Sequence, residues 1–338
     1  MRTVVVTGPG SVEIRDEPVP EVGPADVLIA VKACGVCGSD AFYAARGGIP
    51  PREGHTPLGH EVAGEVAAVG DAVEGIAVGD HVVVNPMGDP RGIIGNGGPT
   101  GGLSEFLLVE QAVLGTSVAL VPKDLPWQVA ALNEPMAVAL HAVNRTVPQP
   151  GDTVVVFGAG PIGLGAVISY KALGVGHVVV VDVIASRLEK ALLVGADAVV
   201  NSAEEPLDER LIALHGEARD GVGHGGKSGT DVWLDAAGVP ATVQTALRLA
   251  KHRATIGVVA VHKRPVEVDF GDLLAVEPTI VTAMGYPTEI FDVTEHIIAN
   301  PEAYAQIVSD VFPASDVLEA LRVAATPGAA DKVVVTFD

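Results

Sequence analysis

A glycine turn restricts this chain's fold more than any other feature. Gly158-Ala159-Gly160-Pro161-Ile162-Gly163 follows a continuous apolar run, Asp152 to Phe157, and opens the helix-patterned stretch Pro161 to Leu173. An unbroken apolar strand turning at once into a helix belongs to a βαβ unit on a parallel sheet. Gly158 makes the tight bend, Gly160 lets the backbone approach a pyrophosphate, and Gly163 lets helix and sheet pack closely. The helix N-terminus, opened by Pro161 and Ile162, faces the negative charge. Such a turn is weak evidence by itself. Its strand–turn–helix context strengthens it, and so does Asp182, which ends the next apolar strand, Val178 to Val181. A carboxylate there accepts from both ribose hydroxyls of NAD and repels the extra phosphate of NADP. Arg187 is close enough in sequence to hold such a phosphate, so NADP stays open while NAD is expected.

The same rhythm continues through a helix over Ser186 to Leu193 and strands at Ala198–Val200, Val232–Asp235 and Thr255–Val259, with a helix over Ala241 to Leu249. The class is therefore α/β, with a doubly wound parallel sheet. The first 150 residues read differently. Short valine-rich runs (Val4–Thr7, Val12–Arg15, Val27–Ala33, Val62–Val69, His81–Asn85) alternate with Gly and Pro, which predicts a β-dominated unit. Met87 to Gly102 is nearly all Gly, Pro, Asn and Asp and is expected to be a long surface loop. The last fifty residues return to helices near Ala303 and over Ala314 to Val323, then a strand, Lys332 to Phe337, that packs back on the first domain.

Length and charge narrow the class further. At 338 residues the chain holds two domains. A net charge of −21 repels phosphate backbones and anionic lipid, which argues against nucleic-acid or membrane partners. No uncharged apolar stretch reaches spanning length and no signal-peptide pattern opens the chain, so a cytoplasmic protein is expected.

Cys37, His60 and Glu134 are soft, borderline and hard donors that together make a zinc shell with an open fourth position, the catalytic arrangement. Glu61, next to His60, either binds directly or tunes the metal from behind. Taken alone the scattered set is weak, since His60 reads equally well as a core histidine. The only other cysteine, Cys34, forms Cys-x-x-Cys with Cys37, but it ends an apolar strand rather than opening a helix. A buried small hydrophobe fits it better than a redox partner.

These motifs resemble the medium-chain, zinc-dependent dehydrogenase/reductase family, most of all its sorbitol, butanediol and other polyol dehydrogenases. The resemblance spans nearly the whole chain. It rests on Gly35-Val36-Cys37-Gly38-Ser39-Asp40, Gly59-His60-Glu61-x-x-Gly64-x-Val66, Gly79-Asp80-His81-Val82, Gly101-Gly102-Leu103-Ser104-Glu105-Phe106 and Asn133-Glu134-Pro135-Met136-Ala137-Val138-Ala139, with the glycine turn and Asp182. It implies a GroES-like catalytic domain, residues 1–149 completed by 288–338, and an inserted Rossmann NAD-binding domain, 150–287. One catalytic zinc is implied, held by Cys37, His60 and either Glu61 or Glu134, with Asp40 behind the site. No structural zinc is expected, because its four cysteines are missing.

By the same resemblance Ser39 takes the substrate proton and Tyr43 lines the substrate pocket. Phe42 stands where many relatives carry a relay histidine, which leaves the nicotinamide ribose as the proton's route to water and His55 as an alternative outlet. Lys332 falls where a basic residue often reaches the cofactor phosphates. Gly238 and Val258 match segments passing under the adenosine and nicotinamide sides. The implied activity is reversible, zinc-dependent oxidation of a secondary alcohol, diol or polyol with NAD, by a homodimer or homotetramer. The competing readings are an NADP-linked ketone or aldehyde reductase, a zinc-free quinone or enoyl reductase, and a non-enzymatic NAD-binding protein.

Overall fold

A computed structural model of the chain describes residues 1–49, 54–326 and 328–338. They form two compact units, one of Met1–Pro135 with Ile290–Asp338 and one of Met136–Glu289. In chain order the first unit begins with β1 (Arg2–Gly8), β2 (Ser11–Asp16), β3 (Val27–Gly35), α1 (Gly38–Arg46), β4 (Thr56–Pro57), β5 (Glu61–Val69), β6 (His81–Val84), β7 (Phe106–Val109), β8 (Val118–Leu120) and α2 (Trp127–Ala130). Helix α3 (Asn133–Thr146) then carries the chain into the second unit.

The second unit contains β9 (Thr153–Phe157), α4 (Pro161–Ala172), β10 (His177–Asp182), α5 (Ala185–Leu193), β11 (Ala198–Asn201), α6 (Leu207–His215), a small hairpin of β12 (Glu217–Ala218) and β13 (Lys227–Ser228), β14 (Val232–Asp235), α7 (Pro240–Leu249), β15 (Thr255–Val258) and β16 (Thr279–Thr282). The chain returns to the first unit at Ile290 and, after helices at Asp292–Ala299 and Pro301–Ala305, adds β17 (Asp310–Pro313) and β18 (Val333–Thr336).

The second unit is the doubly wound sheet that the valine runs predict. Its six parallel strands lie in the order β11-β10-β9-β14-β15-β16, so the strand before the glycine turn sits at the centre, where the order reverses. Ligands of open α/β sheets bind at that reversal. Val155, Phe157, Val179, Val181, Trp233 and Ile256 fill the core, and the rings of Phe157 and Trp233 stack 6.0 Å apart.

In the first unit, β3 is the spine. It pairs antiparallel with β5 along one edge and with β7 and then β18 along the other. The register sets Glu61 opposite Gly35, and Gly35 opposite Val334 of the last strand. Val27, Ile29, Val31, Leu107, Val333 and Val335 close this core. The β-rich, GroES-like character expected of this part is present, and α1 and α3 add helices that valine spacing does not signal. Helix α1 is set by its ends: the Asp40 carboxylate accepts from the Cys37 N–H at 2.9 Å, and Gly47 closes the helix at φ 83°.

The expectation of a plain surface loop over Met87 to Gly102 needs correction. Pro86–Gly88 forms a 3-10 turn and Ile94 is fully buried. The Arg91 guanidinium binds both oxygens of the buried Asp89 carboxylate, at 3.0 and 2.7 Å, and reaches the Leu108 carbonyl at 3.2 Å. Ile94 as an apolar anchor and the ion pairs of Arg91 hold a stretch whose composition reads as unanchored. Among the described residues no helix is long and apolar enough to cross a membrane.

Candidate functional site

Strand β3 ends at Gly35, and Cys37 follows as the residue that caps α1. Across the sheet Gly59, at φ 88°, turns the chain immediately before His60 and Glu61. A side chain at Gly59 would strike the Leu103 backbone nitrogen at 2.5 Å and Cys34 Sγ at 2.8 Å, and one at Gly35 would strike Glu61 Oε2 at 1.8 Å. The two glycines therefore let the donors converge. Cys37, His60 and Glu61 each offer a ligand atom, all within 4.8 Å of one another. A sulfur, an imidazole and a carboxylate in one group, with His60 and Glu61 buried and Cys37 half-buried, fit zinc. Cys34 stays out of it, fully buried in the core, where burial pushes its thiol pKa well up.

Asp40 frames this group. Its carboxylate, wholly buried, accepts from the N–H of Cys37 at 2.9 Å and of Gly59 at 3.3 Å, and its Oδ1 lies 4.0 Å from His60 Nδ1. It thus ties together the backbone at one donor and the backbone just before another. Glu134 lies outside the 4.8 Å group, yet its charge acts on His60. It is fixed through its neighbour: Asn133 donates to the Ile290 carbonyl at 2.6 Å and accepts from Thr294 at 2.6 Å.

The electrostatics call for a cation. Burial opposes a charge on His60, but a hydrogen bond with Cys37 and the charges of Cys37, Glu134 and Asp40 outweigh it and hold its pKa well above the ordinary value. Burial, with Glu61 and Asp40 nearby, pushes Glu134 up to about 7 against the pull of His60 and Lys332. Lys332, for which the family resemblance implies a role at the cofactor phosphates, stands beside this group. Its buried ammonium pairs with Glu61 Oε2 and donates to the Val36 carbonyl at 3.1 Å. The pairing of β18 with β3 brings it to this place.

Ser39 sits in the first turn of α1, its Oγ buried without a hydrogen-bond partner. Tyr43, one turn on, donates to Asn96 Oδ1. Asn96 lies in the glycine-rich stretch and gave no signal in the sequence. Phe42 is half exposed, edge-on to Tyr43 with Arg46 over its ring. His55 turns its ring nitrogens to Arg15 and Glu17, at 3.1 and 3.2 Å.

In the second unit the glycine turn has the geometry its sequence implies. Gly158 takes φ 96°, a side chain at Gly163 would meet the Gly158 carbonyl oxygen at 1.9 Å, and one at Gly160 would meet open space. Pro161 and Ile162 open α4, whose first turn has no side-chain cap and no acid, leaving its N–H groups for an anion. A cavity of about 590 Å³ is lined by Gly158, Gly160, Asp182, Arg187 and, unforeseen from sequence, Ser202 and Thr242. Ser202 follows the end of β11, so its position at a strand's C-terminal edge is the signal that could have found it. Asp182 does more than face the cavity. Its oxygens accept from the Ala159, Val183 and Ile184 N–H groups at 2.7, 2.7 and 3.0 Å, which ties the glycine turn to β10. Gly238 and Val258 are not among the lining residues; the Gly238 N–H donates to Asp235, and Val258 ends β15 opposite that same aspartate.

Residues 23–122 match the family described as alcohol dehydrogenase GroES-like domain, and 161–299 that described as zinc-binding dehydrogenase. The sorbitol dehydrogenase of Bacillus subtilis (strain 168) is 34% identical over 291 residues, 80% of this chain and 78% of the relative. The crystal structure of 2R,3R-butanediol dehydrogenase from Bacillus subtilis superposes with a TM-score of 0.87 at 26% identity, covering 99% of each chain. A short chain alcohol dehydrogenase from Escherichia coli CFT073, solved with cofactor NADH, gives a TM-score of 0.84 at 27% identity, covering 100% of this chain and 99% of that one.

Proposed function

Since the chain belongs to the zinc-binding alcohol dehydrogenase family, we propose that it oxidises a secondary alcohol, diol or polyol to the ketone, reversibly, with one zinc ion and NAD. The observation that carries this is the convergence of Cys37, His60 and Glu61 within 4.8 Å. The names of the relatives, sorbitol and butanediol dehydrogenase, support a substrate with more than one hydroxyl.

When bound, zinc supplies Lewis acidity to the alcohol oxygen and NAD takes up the hydride. Cys37, His60 and Glu61 hold the metal, while Asp40 keeps the backbone at Cys37 and Gly59 in register. The buried Ser39 hydroxyl takes the proton of the substrate hydroxyl as it hands its own on towards solvent water, and Tyr43 forms the neighbouring wall. The glycine turn and the open N-terminus of α4 bind the pyrophosphate, with Asp182 on the adenosine ribose. Met1–Pro135 with Ile290–Asp338 is then the catalytic unit and Met136–Glu289 the cofactor unit. By family resemblance we also infer a cytoplasmic homodimer or homotetramer, which light scattering on the purified protein checks.

The deciding experiment measures zinc content and turnover of an alcohol panel with NAD and NADP on one sample. One zinc per chain and NAD-dependent oxidation are expected, both lost in Cys37→Ala. A zinc-free Cys37→Ala protein that oxidises every alcohol at the parent rate would sink the proposal, and absence of any turnover would favour a non-enzymatic NAD-binding protein. Arg187 beside Asp182 in the cavity favours one alternative, an NADP-linked reductase, which a preference for NADP in the same panel would establish.

A further inference from the structure

The glycine-rich stretch Gly92 to Gly102 has no part in the chemistry above, yet it lies directly on the chain that carries the metal donors. Gly95, at φ 63°, packs so closely that a side chain there would stand 1.9 Å from the Gly59 carbonyl oxygen, and one at Gly101 would stand 2.3 Å from that of Leu58. The Gly102 N–H donates to Gly59 at 2.7 Å and the Leu103 N–H to Leu58 at 3.0 Å. Within the stretch the Gly95 N–H donates to Thr100 at 2.7 Å, and Ile94 is sunk in the core. The stretch is therefore a fixed wall, built two residues from His60.

That wall presents Asn96. Its Oδ1 accepts from the Tyr43 hydroxyl, and Tyr43 stands on α1 one helical turn after Ser39. With Oδ1 engaged the amide plane is set, and the two N–H groups of Nδ2 are turned away from the tyrosine. Among the described residues those N–H groups have no hydrogen-bond partner, and Asn96 is only half-buried. A hydroxyl oxygen suits two such donors. The line Ser39, Tyr43, Asn96 thus holds a proton acceptor at one end and fixed donors at the other.

We propose that Asn96 is a specificity-determining residue that donates to a second hydroxyl of the substrate, selecting vicinal diols and polyols over monohydric alcohols. The inference rests on the proposed function, with Ser39 taking the reacting hydroxyl. A site built to hydrogen-bond a hydroxyl discriminates strongly against the analogue that lacks it, because its own polar group is left unpaired.

The test compares kcat/KM for 2,3-butanediol and 2-butanol, which differ by one hydroxyl, in the parent, Asn96→Asp, Asn96→Leu and Tyr43→Phe proteins, each checked for zinc content. Asn96→Asp is isosteric and keeps an acceptor for Tyr43 while removing both donors, so it reads the donors without remaking the wall. The diol-to-alcohol ratio is expected to fall by about tenfold or more in both Asn96 variants, mainly through KM for the diol. Tyr43→Phe frees the amide to rotate and should lower the ratio less. A parent that oxidises 2-butanol with NAD but has the same ratio as Asn96→Asp upholds the proposed function and overturns this inference. A parent that oxidises neither alcohol, nor sorbitol, overturns both.

Discussion

The ammonium of Lys332 lies against the carboxylate of Glu61 almost entirely out of water, with side-chain exposures of 4% and 1%. One of the metal donors therefore has a permanent cation at its side. Removing one partner of a buried pair leaves the other charge uncompensated, at a cost of about 3 kcal/mol. Lys332→Met should lose about that much stability without zinc and clearly less with zinc bound, since the metal then offsets Glu61. Urea unfolding with and without zinc measures both. Equal losses would mean that lysine and metal do not share the carboxylate.

Asp40 gives the second prediction. Asn at this position keeps the size but loses one acceptor oxygen, so the N–H groups of Cys37 and Gly59 can no longer both be served. Groups that position metal ligands typically account for a 10–100-fold change in affinity, roughly the loss expected for Asp40→Asn. Competition against a chromophoric chelator reads it directly. Unchanged affinity would confine Asp40 to shaping the helix end.

A pH dependence follows from the second unit. His215 lies between His177, at 3.0 Å, and Thr230, at 2.7 Å, and burial, with His177 adding to it, lowers its pKa to about 4. The unfolded chain binds that proton near pH 6.5, so below this pH it holds more protons than the folded one. Stability from this residue is full above about pH 6.5 and is lost as pH falls towards 4. After discounting for partial exposure it amounts to about 2 kcal/mol. The stability difference between parent and His215→Gln, followed by urea unfolding from pH 7.5 to 4, should shrink by that amount. A difference independent of pH would refute it.

Arg91 tests the wall that carries Asn96. It is the cation on the fully buried side chain of Asp89 and also contacts Glu110 at 3.0 Å. Arg91→Met should cost about 2 kcal/mol by stranding Asp89. Hydrogen exchange should quicken first at Gly95, Gly102 and Leu103, whose N–H groups hold the stretch to itself and to Leu58–Gly59. Uniform quickening across the whole unit would mean that Arg91 supports the sheet and not this segment.

How much of this was legible in the sequence depended on whether a feature is local. The second unit was, because valine runs between helices and a glycine turn are contiguous patterns with one physical solution. Cys37 and His60 were legible by donor chemistry. The choice between Glu61 and Glu134 was not: both are carboxylates of the same donor chemistry, and only the folded chain shows which one lies within 4.8 Å of Cys37 and His60. The contacts of Lys332 were not legible either, since its partner Val36 lies 296 residues away and only strand pairing brings them together. Asn96, set among glycines with no periodicity, offered nothing to read until the wall had a shape.

The pairing of β18 with β3 also fixes an order of events during synthesis. Residues 136 to 289 emerge from the ribosome as one uninterrupted unit and can fold as they appear. The strand leading to Cys37 must wait for a neighbour made some three hundred residues later, and Glu61 waits for a lysine made 271 residues after it (332 less 61). The nascent protein thus acquires its dinucleotide pocket early and a finished metal site last. Metal delivered before the last strand is in place would meet a thiol, an imidazole and a carboxylate not yet held together.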